Sequence, residues 1–457
     1  MVYVSSFTIW KSIRENHSLI RVTPGKEKVS EKTKGPRDCG AFLKTFMKHF
    51  HATIKTILLL IFIMGSFCFT DHLQKKKSAA VTRFVSEKIT LKKGLSFYLN
   101  VPEGYHIHVA YEGLKRLRFL TRSPDGRLFA TDMYDLTDNN SSKIYIFDDW
   151  DAKTRSFRKI HTYLEDLHNV TQVAFYNKDG KDYIYIPETE KITRYEYHAG
   201  DNAPSGKPTL IASFPSYGLS YKYGGWHLTR SLAFHRNKLY VSIGSSCNTC
   251  VEKENIRASI WEMDPEGENQ QIFAGGLRNS VGIKWIGNEL WATCMERDEL
   301  GNEMPEDMFN HIRKNKFYGW PYYYQYQNKV YANKQLQDSA RQQGHNIPSA
   351  PSLAYCGFKA HSAPLGFDYF KGFDDPLLKN SFLIALHGST DVSLQKGNAV
   401  VKITGRGKYT TIVDGFLTGP KPGNRMGRPC DVMMNDGHSF FITDDMNGVL
   451  YYVEKQP

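Results

Sequence analysis

The sequence predicts an all-β protein, a six-bladed β-propeller, on the strength of three observations. A pair of apolar strands joined by a polar turn recurs six times along the chain. The second strand of each pair opens near residues 128, 183, 239, 290, 382 and 440, so most intervals are fifty-odd residues long. Almost no segment shows the 3.6-residue periodicity of an amphipathic helix. Regularly spaced strand pairs are typical of four-stranded blades around an axis, whereas two unrelated β-sandwiches would not space them so evenly.

The six strand pairs share one form. Each has an apolar strand, a turn that is mostly Gly, Asn or Asp, and a second apolar strand that ends in small or acidic residues. In order, they are LRFLTRSPDGRLFATD from Leu117, VTQVAFYNKDGKDYIYIPE from Val170, TRSLAFHRNKLYVSIGS from Thr229, SVGIKWIGNELWATC from Ser280, PLLKNSFLIALHG from Pro376 and PCDVMMNDGHSFFITDD from Pro429.

Two further features complete the predicted ring. The long interval between the fourth and fifth pairs holds an insertion, roughly residues 297 to 360, that is rich in Tyr, Asn and Gln. Because loops of this length usually carry function, we expect it to form a wall of a pocket. A propeller also needs its first and last blades joined. We expect the YYV segment near the C-terminus to pair with an early strand such as LSFYLNV, residues 95 to 101.

The positive net charge of +12 is concentrated at the N-terminus. Residues 1 to 77 hold 14 Lys and Arg against 5 Asp and Glu, so the remainder of the chain is close to neutral. A nucleic-acid-binding surface on the main domain is therefore not supported.

The N-terminal region resembles a targeting segment in composition. Ile57 to Met64 is an apolar run with lysines before and after it, too short to span a bilayer comfortably. This favours a signal peptide or a membrane anchor over residues 47–70, preceded by a dispensable or mis-called extension, residues 1–46. Residues 78–457 then form the propeller domain, and we expect that domain to be periplasmic or secreted, with membrane contact only through an uncleaved segment.

Seven cysteines suit that compartment without defining a disulfide framework. Cys247 and Cys250 form a lone C-x-x-C pair. With no second pair and no histidine at ligand spacing, a zinc site is disfavoured. We predict a small-loop disulfide between them, with a redox-active thiol pair as the less favoured alternative.

Polar segments stand just outside several predicted inner strands, where a propeller places its substrate site. They are WHLTR (226 to 230), GLRNSVG (276 to 282), ERDELGNE (296 to 303), KAHSAPLGF (359 to 367), HGSTD (387 to 391) and GRPCDV (427 to 432). Taken singly, each could cap a loop or pair with a neighbouring carboxylate. Their recurrence at equivalent blade positions instead favours one site, where arginines indicate an anionic ligand and a histidine indicates a base.

These segments, in this order, resemble the soluble glucose/sorbosone dehydrogenase family, which binds pyrroloquinoline quinone (PQQ). The resemblance rests on H-x-x-R-x-L-x-F, GSSCNTC, RASIWEMDPEG, GLRNSVGI, ERDELGNEMPEDMFN, FYGWP, HSAPLGF, HGS and GRPCDV. It covers residues 224 to 453 strongly and 85 to 223 weakly, and the L-sorbosone-dehydrogenase-like branch fits best. It implies a six-bladed propeller that oxidises an aldose or sorbosone-like sugar by hydride transfer to the quinone, with calcium assisting and an electron acceptor as partner.

The resemblance also implies roles for individual residues. His227 matches the base that takes the proton from the sugar's anomeric hydroxyl, and Arg278 matches the cation that stabilises charge on the quinone oxygens. Glu296 and Asp298 match the segment that contributes to the calcium site. The implied cofactor-binding residues are Asn279, Arg297, Lys359, His361, His387, Lys396 and Arg428.

The sequence departs from the family within the site. Related sequences usually have HGSWNR where this chain has HGSTDV, so Thr390 and Val392 replace Trp and Arg. A valine cannot bind a carboxylate, and Lys396 is the nearest cation that we expect in its place. Two rival functions follow: a non-catalytic binding propeller, and a calcium-dependent lactonase built on a ring of acidic ligands, against which the two arginines argue.

Overall fold

The computed structural model describes residues 82–214 and 227–456. These residues form a six-bladed β-propeller, which confirms the predicted fold class. Each blade is built on a four-stranded antiparallel sheet, and the first strands of neighbouring blades contact one another around the ring. Helical structure among these residues is limited to one α-helix, α1 (Lys334–Gln342), and short 3₁₀ turns that include Val392–Leu394 and Pro422–Asn424.

The strands follow in chain order. Before the first blade come β1 (Phe84–Thr90), β2 (Ser96–Pro102) and β3 (Tyr105–Glu112). Blade 1 comprises β4 (Leu117–Arg122), β5 (Leu128–Asp132), β6 (Ser142–Asp151) and β7 (Ser156–Leu167). Blade 2 comprises β8 (Ala174–Lys178), β9 (Lys181–Pro187), β10 (Lys191–Tyr197) and β11 (Thr209–Ser213), and blade 3 comprises β12 (Arg230–His235), β13 (Lys238–Ile243), β14 (Ser259–Met263) and β15 (Gln271–Gly275).

The second half of the ring contains the insertion and the closing strands. Then follow β16 (Ile283–Ile286), β17 (Glu289–Cys294), β18 (Asp307–Ile312), β19 (Lys316–Phe317), β20 (Tyr323–Tyr326), β21 (Lys329–Ala332) and β22 (Cys356–Phe358), of which β16, β17, β18 and β22 form blade 4. Blade 5 comprises β23 (Pro364–Tyr369), β24 (Phe382–Leu386), β25 (Ala399–Gly405) and β26 (Lys408–Val413), and blade 6 comprises β27 (Pro429–Met434), β28 (Ser439–Asp444) and β29 (Val449–Lys455), completed by β3.

The C-terminal strand pairs with an early strand and so closes the ring, as expected. The early strand that it pairs with differs from the predicted one. The YYV segment lies in β29, which pairs antiparallel with β3, with Val453 opposite Ile107. The expected partner, residues 95 to 101, lies in β2 and pairs with β1 as a hairpin instead. Both strands bury apolar residues in the same core cluster, so burial alone did not distinguish them.

The fifth strand pair begins earlier than the sequence pattern indicated. Its first strand is β23, and the PLLKN part of the predicted pair lies in the connection between β23 and β24. Phe370, Phe373 and Leu378 of this connection are fully buried in the core that blades 5 and 6 share. The apolar residues of this buried loop thus produced a pattern that resembles a strand.

The insertion is shorter than predicted because blade 4 takes its third and fourth strands from inside the predicted range. The inserted chain lies between β18 and β22 and contains the β20–β21 hairpin and α1. Its strand β19 adds to blade 3 in parallel, where Lys316 lies opposite Ala274. This pairing fixes the start of the insertion beside the loops of blade 3.

A hydroxyl in the second strand of four blades fixes the segment that leads into the next blade. Each hydroxyl is buried and donates to a backbone carbonyl of that segment or of the strand after it. The pairs are Thr131 to Thr171 (2.6 Å), Ser242 to Ser280 (2.6 Å), Thr293 to Leu365 (2.7 Å) and Thr443 to Arg118 (2.6 Å). Two of these acceptors, Ser280 and Leu365, lie in the polar segments 276–282 and 359–367 described above.

The predicted N-terminal segments, residues 1–46 and 47–70, lie outside the described residues. Within the described ranges, no helix is long and apolar enough to cross a membrane. The compact unit that contains the propeller spans Thr82–Pro457.

Candidate active site

The predicted site residues gather at one end of the propeller. In an antiparallel blade, the start of the first strand and the end of the second strand lie at the same end of the sheet. His227, Arg278 and Asn279, His361 and Arg428 all precede first strands, whereas Glu296, Asp298 and His387 follow second strands. The blade repeat therefore brings these loops to one face.

His227 is held as a neutral imidazole. Its Nδ1 lies 2.9 Å from the carbonyl oxygen of Ser245, and because a carbonyl only accepts, Nδ1 carries the hydrogen and Nε2 carries the lone pair. Its backbone has a positive φ of 56°, and Arg230 donates to its carbonyl at 2.9 Å. Burial lowers the pKa of His227 well below its usual value, and the nearby Arg278 guanidinium is the second largest cause of this shift. An unprotonated Nε2 is the state that a general base requires.

Gly244 brings His227 and Asn279 together. A Cβ on Gly244 would lie 2.4 Å from the His227 Cβ and 2.8 Å from the Asn279 Oδ1, so no larger residue fits without displacing both. The backbone that follows β13 therefore passes between the two predicted site residues.

Arg278 is buried and held by the loop between the two cysteines. Its Nε donates to the Asn248 carbonyl oxygen at 3.0 Å and its Nη2 to the Asn248 Oδ1 at 3.0 Å. The Asp298 carboxylate lies 3.9 Å from the same Nη2. The disulfide predicted between Cys247 and Cys250 is present.

Two buried carboxyl groups lie beside Arg278. Burial raises the pKa of Glu296 to about 8, although Arg278 acts in the opposite direction, and burial raises the pKa of Asp307 to about 6. Asp307 accepts from the backbone N–H groups of Glu296 and Ala363, each at 2.8 Å. The Glu296 Oε2 is buried and makes no hydrogen bond to any described residue. Glu296 is thus a neutral acid at pH 7.

The predicted calcium ligands do not form a three-ligand side-chain cluster. Across residues 82–214 and 227–456, the only such group of His, Cys, Asp or Glu ligand atoms is Cys247, Cys250 and Glu252, two of which share the disulfide. Asp298 instead lies 3.1 Å from the Nδ1 of His361. The calcium site at Glu296 and Asp298 stays a prediction.

Three of the predicted cofactor-binding residues, Arg297, Lys359 and Lys396, differ in exposure and in partners. Lys396 pairs with Glu303 at 2.7 and 2.9 Å. Arg297 is half-buried, and Lys359 is exposed. Lys396 is therefore already committed to a carboxylate of the blade 4 loop rather than to the position of the missing arginine.

A second group of charged residues surrounds Arg428. Its Nε and Nη2 donate to the carbonyl oxygens of His387 (3.2 Å) and Gly388 (2.6 Å). His387 directs its Nε2 to the Asp445 carboxylate at 2.7 Å, and burial lowers the pKa of this histidine to about 3. Asp445 also accepts from Arg118 at 2.7 Å. The His387 ring therefore orients the peptide that holds Arg428.

A cleft of about 540 Å³ opens beside this group and is lined by three arginines, Arg116, Arg425 and Arg428. Val392 lines the same cleft, with the 3₁₀ turns of residues 392–394 and 422–424 in contact beside it. Arg425 donates to the carbonyl oxygen of Ser389, in the HGSTDV segment itself. Arg425, four residues before Pro429, thus places a guanidinium against the segment that lacks an arginine at position 392.

Sequence reasoning missed Arg116 and Arg425, although a signal for Arg116 existed. Arg116 directly precedes the first strand of blade 1, as Arg428 precedes that of blade 6. His168 in the connection into blade 2, missed for the same reason, lies between the Asp138 and Glu190 carboxylates at 2.5 and 2.6 Å. Comparison of equivalent blade positions, rather than of motifs, would have found them.

Two hydrogen bonds join the two groups. The backbone N–H of His387 donates to the Ala363 carbonyl oxygen at 2.9 Å, and the Ala363 N–H donates to Asp307. The Arg428 side and the Arg278 side are therefore parts of one connected network across blades 4, 5 and 6.

Comparisons with known proteins place the chain in a family. An uncharacterised protein of Borreliella burgdorferi is 26% identical over 396 residues, which cover 82% of this chain and 96% of that protein. The PQQ domain of a pyranose dehydrogenase from Coprinopsis cinerea in its holo form has a TM-score of 0.61 at 15% identity, covering 80% of this chain and 98% of that one.

Two further solved structures have the same fold. A calcium structure of a family AA12 carbohydrate-active enzyme from Trichoderma reesei has a TM-score of 0.60 at 18% identity, covering 78% and 96% of the two chains. The soluble aldose sugar dehydrogenase of Escherichia coli in its apo form has a TM-score of 0.51 at 16% identity, covering 77% and 100%. The TrAA12-like family model matches residues 99–456. The chain therefore belongs to the TrAA12-like family.

Proposed function

We propose that this protein is a PQQ-dependent sugar dehydrogenase that oxidises an aldose or sorbosone-like sugar. The observation that carries the proposal is the neutral His227, its Nδ1–H donated to Ser245, beside Asn279 on the face that also holds the arginine cleft. The dehydrogenase and PQQ-domain relatives that share this fold add support. The sorbosone-like branch is part of the proposal.

The arginine cleft fits a carboxylate-rich cofactor. Arg116, Arg425 and Arg428 present three guanidinium groups to one cleft, and guanidinium binds carboxylate in a bidentate manner. The Nε atoms of Arg116 and Arg425 are buried and make no hydrogen bond to a described residue. An anionic ligand bound in the cleft would supply acceptors for these donors. PQQ, when bound, would supply the quinone that accepts two electrons from the sugar.

The residues near His227 supply the acid–base chemistry. We propose that Nε2 of His227 removes the hydroxyl proton from the sugar carbon that is oxidised, while the Ser245 carbonyl holds the ring. Arg278, fixed by Asn248, stabilises negative charge that develops nearby. Asn279 would hold the cofactor from the opposite side of Gly244. Of the remaining predicted contacts, His361 and His387 act through Asp298 and Asp445.

Calcium is a further part of the proposal. Glu296 and Asp298 carry oxygen ligands of the type that calcium prefers. Since Glu296 has a pKa of about 8, it must lose its proton to bind a cation, and calcium affinity should rise with pH through this range. Proton release on calcium addition, measured by calorimetry in buffers of different ionisation enthalpy, tests this role.

The cleft also bears on the two rival functions. A non-catalytic propeller was suggested by Val392, but Arg425 now occupies the adjoining position. A lactonase would need a ring of carboxylate ligands, and the described residues present arginines there. Reconstitution with PQQ and calcium, followed by reduction of an artificial acceptor with a panel of aldoses, tests the function. Absence of turnover with every sugar, in protein shown to bind PQQ, would overturn it.

The partners and location of the protein are proposed with it. We propose a small sugar as substrate, a separate electron acceptor, and export of the propeller domain through the N-terminal segment. N-terminal sequencing of exported protein tests the last point: an intact Met1 would exclude cleavage.

A further inference from the structure

Asn248 holds the guanidinium of Arg278 from two sides. Its backbone oxygen accepts from the Arg278 Nε at 3.0 Å, and its side-chain oxygen accepts from the Arg278 Nη2 at 3.0 Å. The same backbone oxygen accepts from the Trp320 Nε1 at 3.1 Å. Asn248 therefore contacts both the guanidinium of Arg278 and the insertion beside it.

Asn248 also positions the loop that follows β17. Its Oδ1 accepts from the backbone N–H of Asp298 at 2.9 Å, and its Nδ2 lies 3.4 Å from the Asp298 carbonyl oxygen. Towards its N-terminal side, the Cys247 carbonyl accepts from the hydroxyl of Ser245, whose own carbonyl holds His227. The segment from Ser245 to Asn248 thus contacts both predicted catalytic residues.

The disulfide closes this segment into a four-residue ring. Cys247 and Cys250 flank Asn248 and Thr249 and are bonded to each other. Glu252 fixes the base of the ring through the N–H (2.7 Å) and hydroxyl (2.6 Å) of Ser246. Both cysteines are half-buried rather than buried, so a small dithiol can reach the bond. The buried thiols of Cys294, Cys356 and Cys430 are much less accessible.

We infer that the Cys247–Cys250 disulfide is a redox-sensitive clamp that acts on Arg278 through Asn248, a positioning residue. A dithiol opens the clamp by thiol–disulfide exchange. The S–S bond breaks, the two electrons and two protons of the dithiol produce two cysteine thiols, and the dithiol leaves as its cyclic disulfide. Opening removes the ring restraint on Asn248 and loosens the guanidinium. The consequence for PQQ affinity rests on the proposed function, but the clamp itself does not.

The hydrogen of the Arg278 Nε reports on the clamp without any cofactor. The full-length protein, labelled with ¹⁵N-arginine, is studied by NMR after treatment with dithiothreitol and removal of the reagent under nitrogen. The Arg278 signal is identified by its loss in Arg278→Lys. We expect its exchange with water to accelerate about tenfold or more on reduction, as when a protecting hydrogen bond opens. The Arg428 Nε–H, which donates to the His387 carbonyl, is the internal control and should not change.

Variants separate the clamp from a general effect of reduction. In the double variant that combines Cys247→Ser and Cys250→Ser, the Arg278 Nε–H should exchange fast with or without dithiothreitol. Asn248→Ala keeps the backbone carbonyl that accepts from the Arg278 Nε, so the Arg278 Nε–H should exchange slowly until the disulfide is reduced, as in the wild type. Slow Arg278 exchange in both the reduced protein and the double variant would overturn the inference.

PQQ titration of the same samples distinguishes the two proposals. If reduction weakens PQQ binding by about tenfold, opening of the clamp also lowers the affinity for the ligand. If no sample binds PQQ while Arg278 exchange still accelerates on reduction, the proposed function fails and the clamp stands.

Discussion

His227 and Glu296 show how single residues in this site depart from their ordinary protonation. Burial lowers the pKa of the histidine and raises that of the carboxyl group, so both are neutral near pH 7. Neutral forms are the ones that burial favours, and in the proposed function they would supply a base and an acid close to Arg278.

Replacement of His227 tests the base. In reconstituted protein, His227→Ala should lower kcat about a hundredfold or more, the usual contribution of a positioned base, with PQQ binding retained. Because the pKa of the imidazole lies well below 6.5, kcat of the wild type at saturating PQQ and calcium should not fall between pH 8 and pH 6. Steady-state kinetics across this range measures both. Full activity of His227→Ala would show that another group takes the proton.

Glu296 gives a pH-dependent stability of defined sign. Its pKa is about 8 in the folded protein against 4.5 for an ordinary glutamate, so the folded state binds more protons between these values. Its contribution to stability is present below about pH 4.5 and is lost as pH rises through 8. Glu296→Gln stays neutral, and its stability relative to wild type should increase between pH 5 and pH 9, on the order of 4 kcal/mol. Urea unfolding at the two pH values measures this, and a constant difference would contradict the burial argument.

At the scale of elements, loops rather than strands explain the chemistry. The segment of residues 387–392 lacks the arginine of its relatives, and the 3₁₀ turn of residues 422–424 brings Arg425 against it. The connection that leads into blade 6 thus contributes a guanidinium to the arginine cleft.

Arg425→Ala should therefore weaken PQQ binding about tenfold or more, since a charge-assisted contact is worth about 1.5 kcal/mol or more. Val392→Arg, in contrast, should tighten binding little, because a guanidinium already lies there. Arg406→Ala, on an exposed arginine that does not line this cleft, is the matched control. Calorimetric titration compares the three, and tighter binding by Val392→Arg with no effect of Arg425→Ala would reverse this assignment.

The buried hydroxyls that join successive blades should contribute to the free energy of unfolding. Thr443 donates to the Arg118 carbonyl and accepts from the Asp431 N–H. Thr443→Val leaves both groups buried without their partner and should destabilise the protein by about 2 kcal/mol. Thr410→Val, on the exposed strand β26, should change the free energy of unfolding by less than about 0.5 kcal/mol. Equal effects in urea unfolding would show that these hydroxyls do not fix the blades.

At the scale of the whole molecule, the repeat made the fold predictable. Second strands open at residues 128, 181, 238, 289, 382 and 439, within about two residues of the expected positions, because alternation of apolar residues is dictated by the pleat of each strand. The predictions of the closing strand and of the first strand in the fifth pair were wrong. The reason is that β2 and the loop of residues 370–378 bury apolar residues as the blade strands do.

The site was only partly predictable for a related reason. Motif order placed His227, Arg278 and Arg428 in the predicted site, whereas Arg116 and Arg425 join the cleft through their positions on neighbouring blades. Asn248 lies within the GSSCNTC motif, but the motif alone does not show its contact with Arg278. Contacts such as those from Arg425 to Ser389, 36 residues apart in the chain, arise only when blade 5 and the connection into blade 6 pack together.

The proposed function depends most on whether this face of the propeller binds PQQ. Calorimetric titration of the full-length protein with PQQ in the presence of calcium tests it most directly. We predict binding of one PQQ per chain, weakened about tenfold or more in Arg428→Ala and unchanged in Arg406→Ala. Absence of PQQ binding by the wild type, with or without calcium, would contradict the proposed function.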